Sequence, residues 1–248
     1  MHIIILILGL IIGSFLNVCI YRIPRNESIA YPPSHCPQCQ QPLGPLNLIP
    51  VLSYLLQRGR CHHCKAFISM QYPIVELING LLWVTLYHKF GLGMTMLHYG
   101  ILVSVLIVIF AIDYSHLIIP DGLNIAIFLL ALVSLSMNFS MSDLIDRMGG
   151  LLLGGGCFLL IALISHGAMG GGDIKLMAAL GFTFGITGIL MLMLLSFLLG
   201  AVISVGLLLL KLKSRNDAIP FGPFITIATL LMLLWRGPIF RFYQALFM

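Results

Sequence analysis

Two aspartates stand where an acid is costly. Asp113 closes the apolar run ILVSVLIVIFAID (101–113), and Asp173 opens another after Gly170, Gly171 and Gly172. Even on lenient insertion scales an Asp at the centre of a bilayer costs roughly 2.5–3.5 kcal/mol, so each acid marks a candidate functional site. The two lie 60 residues apart, and only helix packing can unite them. Two carboxyls sharing one site do not both ionise readily; the pair holds one proton, and its titration belongs to the dyad. One carboxylate then takes a proton from water as general base, while the other, protonated, hydrogen-bonds a scissile carbonyl. The chemistry is peptide hydrolysis with no covalent enzyme intermediate.

The neighbours suit that chemistry. Gly170, Gly171 and Gly172 disfavour helix by about 1 kcal/mol each against alanine, which predicts an irregular segment before the acid. Backbone without side chains also lets a substrate strand approach closely. Pro220, Phe221, Gly222 and Pro223 read as a second irregular stretch on the same face, suited to clamping an extended peptide. Lys175, two residues past Asp173, reads as an interface anchor with a charge available to the dyad. Glu76 has two readings, a solvated interface residue or a further acid facing the cavity of the aspartates. Asp121, after Pro120, reads as a turn and helix N-cap.

A second cluster is cysteine. Cys36-Pro37-Gln38-Cys39 and Cys61-His62-His63-Cys64 are separated by 21 residues, a spacing that points to a tetrahedral four-cysteine zinc site. His62 and His63 are alternative ligands, and disulfides are disfavoured if the segment faces a reducing cytosol. Zinc would supply much of the folding energy of so short a segment, so its role is structural. The segment shows no dense cationic stripe with aromatics, and nucleic acid is not an expected partner. Cys19 and Cys157 read as ordinary buried cysteines.

The elements that must position these groups are membrane helices. Only 8% of residues are charged and 60% are hydrophobic, against about 25% charged in a soluble domain. Long continuous apolar runs exclude a β-barrel and predict an all-α polytopic protein with a small cytosolic zinc-binding insertion. The predicted order is a first span within 1–21, a polar segment over 22–72, and a membrane domain over 73–248 carrying the aspartates. Within it, spans are expected from Pro73 to about His88 and near 94–112, 123–137, 148–165 and 221–235, with Asp143, Asp146 and Arg147 in an outer loop. Residues 176–210 are too many for one span, so a tight turn at Gly185-Ile186-Thr187-Gly188 is expected to split them in two. Gly150 and Gly154 read as a close helix-packing face, and Ser14 and Asn17 as polar packing groups. With eight spans and the N-terminus outside, nine cations, Arg215 among them, fall inside and four, including Arg236 and Arg241, outside, as the positive-inside rule requires. Both aspartates then sit at the cytosolic membrane boundary.

The motifs GSFLNVCIYRIP (13–24), NLIPVLSYLLQRGRCHHC (47–64), YPIVELING (72–80), DYSHLIIPD (113–121), GGGDIKL (170–176) and the Phe-Gly-Pro-Phe stretch resemble the type IV prepilin peptidase family of GxGD aspartic proteases. The resemblance implies that Asp113 and Asp173 are the catalytic pair. It implies an inner-membrane enzyme that removes short basic leaders from prepilins or pseudopilins at the cytosolic face, usually just before a Phe. It also implies N-methylation of the new terminus with S-adenosylmethionine. No Rossmann-like unit accompanies that second activity in the sequence. Gly171 stands where a bulkier residue is often found in the GxGD signature, and Gln71 where a basic residue is common. The rival reading is a transporter, which would also bury acids among broken helices but predicts repeat symmetry and acids nearer the midplane.

Overall fold

The computed structural model describes residues 1–137, 139–165, 169–214 and 217–247, with the backbone alone for Arg236 and residues 239–247. The cation assignments of Arg215, Arg236 and Arg241 therefore lie outside the described side chains. The chain is all-helical: α1 (His2–Arg22), α2 (Leu52–Leu56), α3 (Gln71–Phe90), α4 (Met94–His116), α5 (Asp121–Met137), α6 (Met141–Ile164), α7 (Gly171–Leu209) and α8 (Gly222–Phe247). Among the described residues, four helices are long and apolar enough to cross a membrane: α1 with its continuation to Arg25, α4, α6 and α7; α5 and residues 222–235 are shorter apolar helices. Two compact units divide the chain, Met1–Val108 and Ile109–Met248.

In the first unit α1 and α3 pack backbone to backbone. A Cβ on Gly9 would stand 2.8 Å from Gly80 Cα, and one on Gly13 would stand 2.7 Å from Glu76 Cα. Small residues allow this approach, and buried polar groups then join the helices. Asn79 donates to Gly9 O at 2.7 Å, and Asn17 donates to Tyr72 O at 3.0 Å. Asn17 is thus a packing amide, as its place in an apolar run predicts.

In the second unit α6 and α7 meet through the predicted glycine face. A Cβ on Gly150 would strike Gly181 O, and one on Gly154 would stand 2.6 Å from Met177 O. α7 is not one rod. Gly185 adopts φ 70°, ψ −174° inside it, a region open to glycine. Gly150 lies against both Gly181 and Gly185, and Gly154 against both Met177 and Ile189. Residues before and after Gly185 therefore share the same levels of α6, and the chain reverses there. Its 39 residues would otherwise reach about 58 Å, twice the hydrocarbon core of about 30 Å. Asp146 Oδ1 accepts the Ile186 N–H at 3.2 Å, satisfying a donor freed by the break.

Three boundaries differ from expectation. Asp143, Asp146 and Arg147 belong to the first turns of α6 and not to a loop, because Ser140 caps that helix by accepting the Asp143 N–H at 3.1 Å. α4 runs on to His116, so Asp113 sits within its last turns. α8 begins at Gly222 and carries non-helical torsions at Trp235, where the last span was expected to end.

Candidate active site and metal centre

The Asp113 carboxyl is 5% exposed. Its Oδ2 accepts the Gly222 N–H at 2.9 Å, one of the donors left free at the start of α8. A Cβ on residue 222 would stand 2.7 Å from that oxygen, so only glycine lets the helix end come this close. The Pro-Phe-Gly-Pro stretch is accordingly not an extended clamp throughout. From Gly222 it is helix, and Pro223 fits there because the first turn needs no N–H from it. Phe221 turns inward, its ring 5.8 Å from Phe158 and 5.6 Å from Phe197. An apolar cavity of about 330 Å³ adjoins it, lined by Phe197, Gly200, Ile219 and Phe224 among others.

Asp173 lies in the first turn of α7, with Gly170 as N-cap and its own N–H on Gly170 O at 3.1 Å. The irregular stretch before the acid is therefore shorter than its glycines suggest: Gly171 and Gly172 are already helical. Asp173 Oδ1 is buried with no hydrogen-bond partner among the described residues. Gly172, beside Asp173, packs on Ile119, six residues past Asp113, so the two acids stand on helix ends tied to one turn.

What joins them is the turn between α4 and α5. A Cβ on Gly172 would stand 2.7 Å from Ile119 Cβ, and Asn124 donates to Gly172 O at 3.4 Å. Lys175 Nζ bridges both Asp121 oxygens at 2.8 and 2.7 Å, with both side chains more than half exposed. Lys175 thus faces Asp121, and Asp121 is the first residue of α5 and not its cap. Asn124, buried with Oδ1 unpartnered among the described residues, escaped the sequence reading. The signal that exposed the aspartates, a polar group in an apolar run, applies equally to it. Glu76 is buried and not solvated. Its Oε2 accepts the Val51 N–H at 2.7 Å.

The four cysteines assemble as their spacing predicts. One Sγ from each lies within 4.8 Å of all the others, and Cys36 and Cys64 are 3.8 Å apart. A zinc tetrahedron with bonds of about 2.3 Å sets sulfur atoms about 3.8 Å apart, so the cluster fits that ion. The two knuckles repeat one design. Gln40 N–H returns to Cys36 O at 2.8 Å and Lys65 N–H to Cys61 O at 3.0 Å. Both residues are left-handed, at φ 57° and 60°. Backbone N–H groups of Cys64 and His63 push the Cys61 thiol down to about 6, toward the thiolate a metal needs. Cys19 is buried and Cys157 half-buried, both apart from the cluster. S-adenosylmethionine finds no such match. This holds for the cleft of about 630 Å³ beside Cys61, which is walled by Arg58, Arg60 and Lys65 and has no acid among its described lining residues to meet a ribose or a sulfonium.

Comparison with known proteins agrees with this layout. The bacterial peptidase A24 N-terminal domain family matches residues 7–90, and the type IV leader peptidase family matches residues 100–205. A prepilin leader peptidase/N-methyltransferase of Bacillus subtilis (strain 168) is 35% identical over 97% of this chain and 96% of its own. Proteins of the same name from Aeromonas hydrophila and Legionella pneumophila are 36% and 32% identical, over 97% and 98% of this chain and 92% and 94% of theirs. No solved structure matches.

Proposed function

The chain belongs to the type IV leader peptidase family, and from that premise we propose that Asp113 and Asp173 are the pair with which it cleaves leader peptides from prepilins or pseudopilins. The observation that carries this reading is that two acids, 60 residues apart in sequence, stand at helix ends tied to one turn, with the Gly222 N–H on Asp113 and Gly172 packed on Ile119. Gly222 holds one Asp113 oxygen, which fixes the plane of that carboxyl. Asp173 Oδ1 is the buried acceptor left over for the attacking water. The ionised member takes the water proton, the protonated member hydrogen-bonds the scissile carbonyl, and the proton then passes to the leaving amine. Gly170 and Gly171 leave room for the substrate backbone, while Gly172 is taken up by its packing on Ile119. Lys175 acts through its Asp121 bridge, and Phe221, with its flanking prolines, lines the approach. Glu76 supports the fold around Val51 and not the reacting atoms.

The membrane helices are best read as eight spans, α7 counting twice and α3 once, in the cytoplasmic membrane with the N-terminus outside. The zinc segment (22–72) and both aspartates then face the cytosol, and 73–248 is the membrane domain. The four cysteines hold one structural zinc. N-methylation of the product follows the relatives' names, and no step of it is assigned to a residue. Nothing supports the transporter alternative. The test is purified protein with a prepilin, read by mass spectrometry of the product N-terminus. A cut at the leader boundary that Asp113→Asn and Asp173→Asn each abolish supports the pair; unchanged cutting by either removes that residue from the mechanism.

A further inference from the structure

The zinc segment carries an apolar surface that its own fold leaves uncovered. Leu46, Leu52, Leu55 and Leu56 project from the stretch 45–56, and Leu56 and Phe67 are 83% and 82% exposed. In a polar loop of some fifty residues such a contiguous patch signals a binding surface. Its place is fixed. The Val51 N–H is held by the buried Glu76 carboxyl, in the second turn of α3, and Gln57 Nε2 bonds Asn47 Oδ1 at 3.0 Å to close the stretch. Val51 pays for that hold with φ 62°, a left-handed torsion unusual for a β-branched residue. The patch is thereby pinned beside the first turns of α3, a helix read above as a membrane span, whose own Ile74, Leu77 and Ile78 are exposed apolar residues. Cations adjoin it. Arg58, Arg60 and Lys65 wall the cleft that Leu56 and Phe67 also line, with the Arg60 guanidinium 4.6 Å from the centre of the Phe67 ring.

Apolar side chains beside a row of fixed positive charges, tied to the end of a membrane helix, are the makings of an interfacial anchor. We propose that residues 45–56 and Phe67 dip into the membrane interface, and that Arg58, Arg60 and Lys65 bind the phosphate of anionic phospholipid headgroups beside them. The leaflet concerned is the cytosolic one on the orientation proposed above, but the contact itself needs only that α3 crosses the bilayer. The zinc knuckles would then lie against the membrane surface rather than stand away from it.

The test uses the full chain in nanodiscs of phosphatidylcholine, with or without phosphatidylglycerol. Leu56→Trp is read as the difference from the parent chain, which keeps Trp83 and Trp235. The expected result is an added emission that is shifted to the blue and loses intensity to brominated lipid. Emission typical of water, reached by acrylamide and untouched by bromolipid, would overturn the anchor and leave the patch to a soluble partner. For the headgroup contact, Arg58→Asn, Arg60→Gln and Lys65→Asn are combined; Asn suits the left-handed backbone at residues 58 and 65. This variant should keep one zinc per chain and lose phosphatidylglycerol retained in native mass spectrometry, with the parent's retention falling as salt rises. Equal retention by variant and parent would overturn the headgroup contact, whereas leader cleavage tests only the aspartate pair.

Discussion

The cysteine cluster and the aspartate pair are assembled by opposite means. Each cysteine knuckle is closed within six residues, by return hydrogen bonds and one left-handed residue, and only the joining of two finished halves is long-range. The aspartates have no local design in common. Asp113 is set by the N–H of residue 222, and Asp173 by the start of a helix that touches the α4–α5 turn through Gly172. The contrast teaches that a site made of local motifs tolerates change around it, whereas one made of helix ends depends on every backbone that meets there.

The largest effect should come from the acids themselves. Asp113→Asn or Asp173→Asn is expected to lower leader cleavage at least about 10²–10⁴-fold, with zinc content unchanged by elemental analysis. A variant that lost zinc as well would break the separation between the two sites. Next is Gly222→Ala, which touches neither acid chemically. Its Cβ would stand 2.7 Å from Asp113 Oδ2, and displacing a reacting group by a fraction of an ångström to an ångström costs up to about 100-fold. Cleavage kinetics should show that loss in kcat, while thermal unfolding shifts little.

On the other side of the comparison, Cys36→Ser or a chelator should empty the zinc site and unfold the 22–72 segment. Structural zinc contributes an apparent ~10–16 kcal/mol in isolated fingers, so proteolysis of that segment should become rapid. The aspartate unit should keep its helicity by circular dichroism. The smallest effect is expected at Lys175→Met. Its ion pair with Asp121 is more than half exposed, and exposed pairs contribute about 0–1 kcal/mol. Unfolding should therefore barely move, and cleavage should fall less than with Gly222→Ala; a loss as great as that of the acids would make Lys175 part of the chemistry.

Much of this was legible in the chain. Gly150 and Gly154 identify a packing face by spacing alone, and the excess length of the 176–210 run calls for a break that Gly185 supplies. Asp113 and Asp173 stand out because each is an acid in an apolar stretch. Other residues were opaque for the same reason that these were clear. Glu76 looks like an interface acid because nothing nearby in sequence explains it; its partner, Val51, lies 25 residues away. Lys175 looks available to the dyad until Asp121, 54 residues earlier, is seen to hold it. The glycines before Asp173 predict irregular backbone by propensity, but packing of Gly172 on Ile119 favours helix from Gly171 onward.

The sequence by itself determined the helical membrane class and the cysteine knuckles, since apolar run length and two-residue cysteine spacing act over a few turns at most. Tertiary structure alone decided which helix end meets which acid: Gly222 at Asp113, Ile186 at Asp146, Val51 at Glu76. Free N–H groups at a helix start must find an acceptor wherever water is excluded. Which carboxyl answers depends on how distant helices pack, and no local pattern of residues records that.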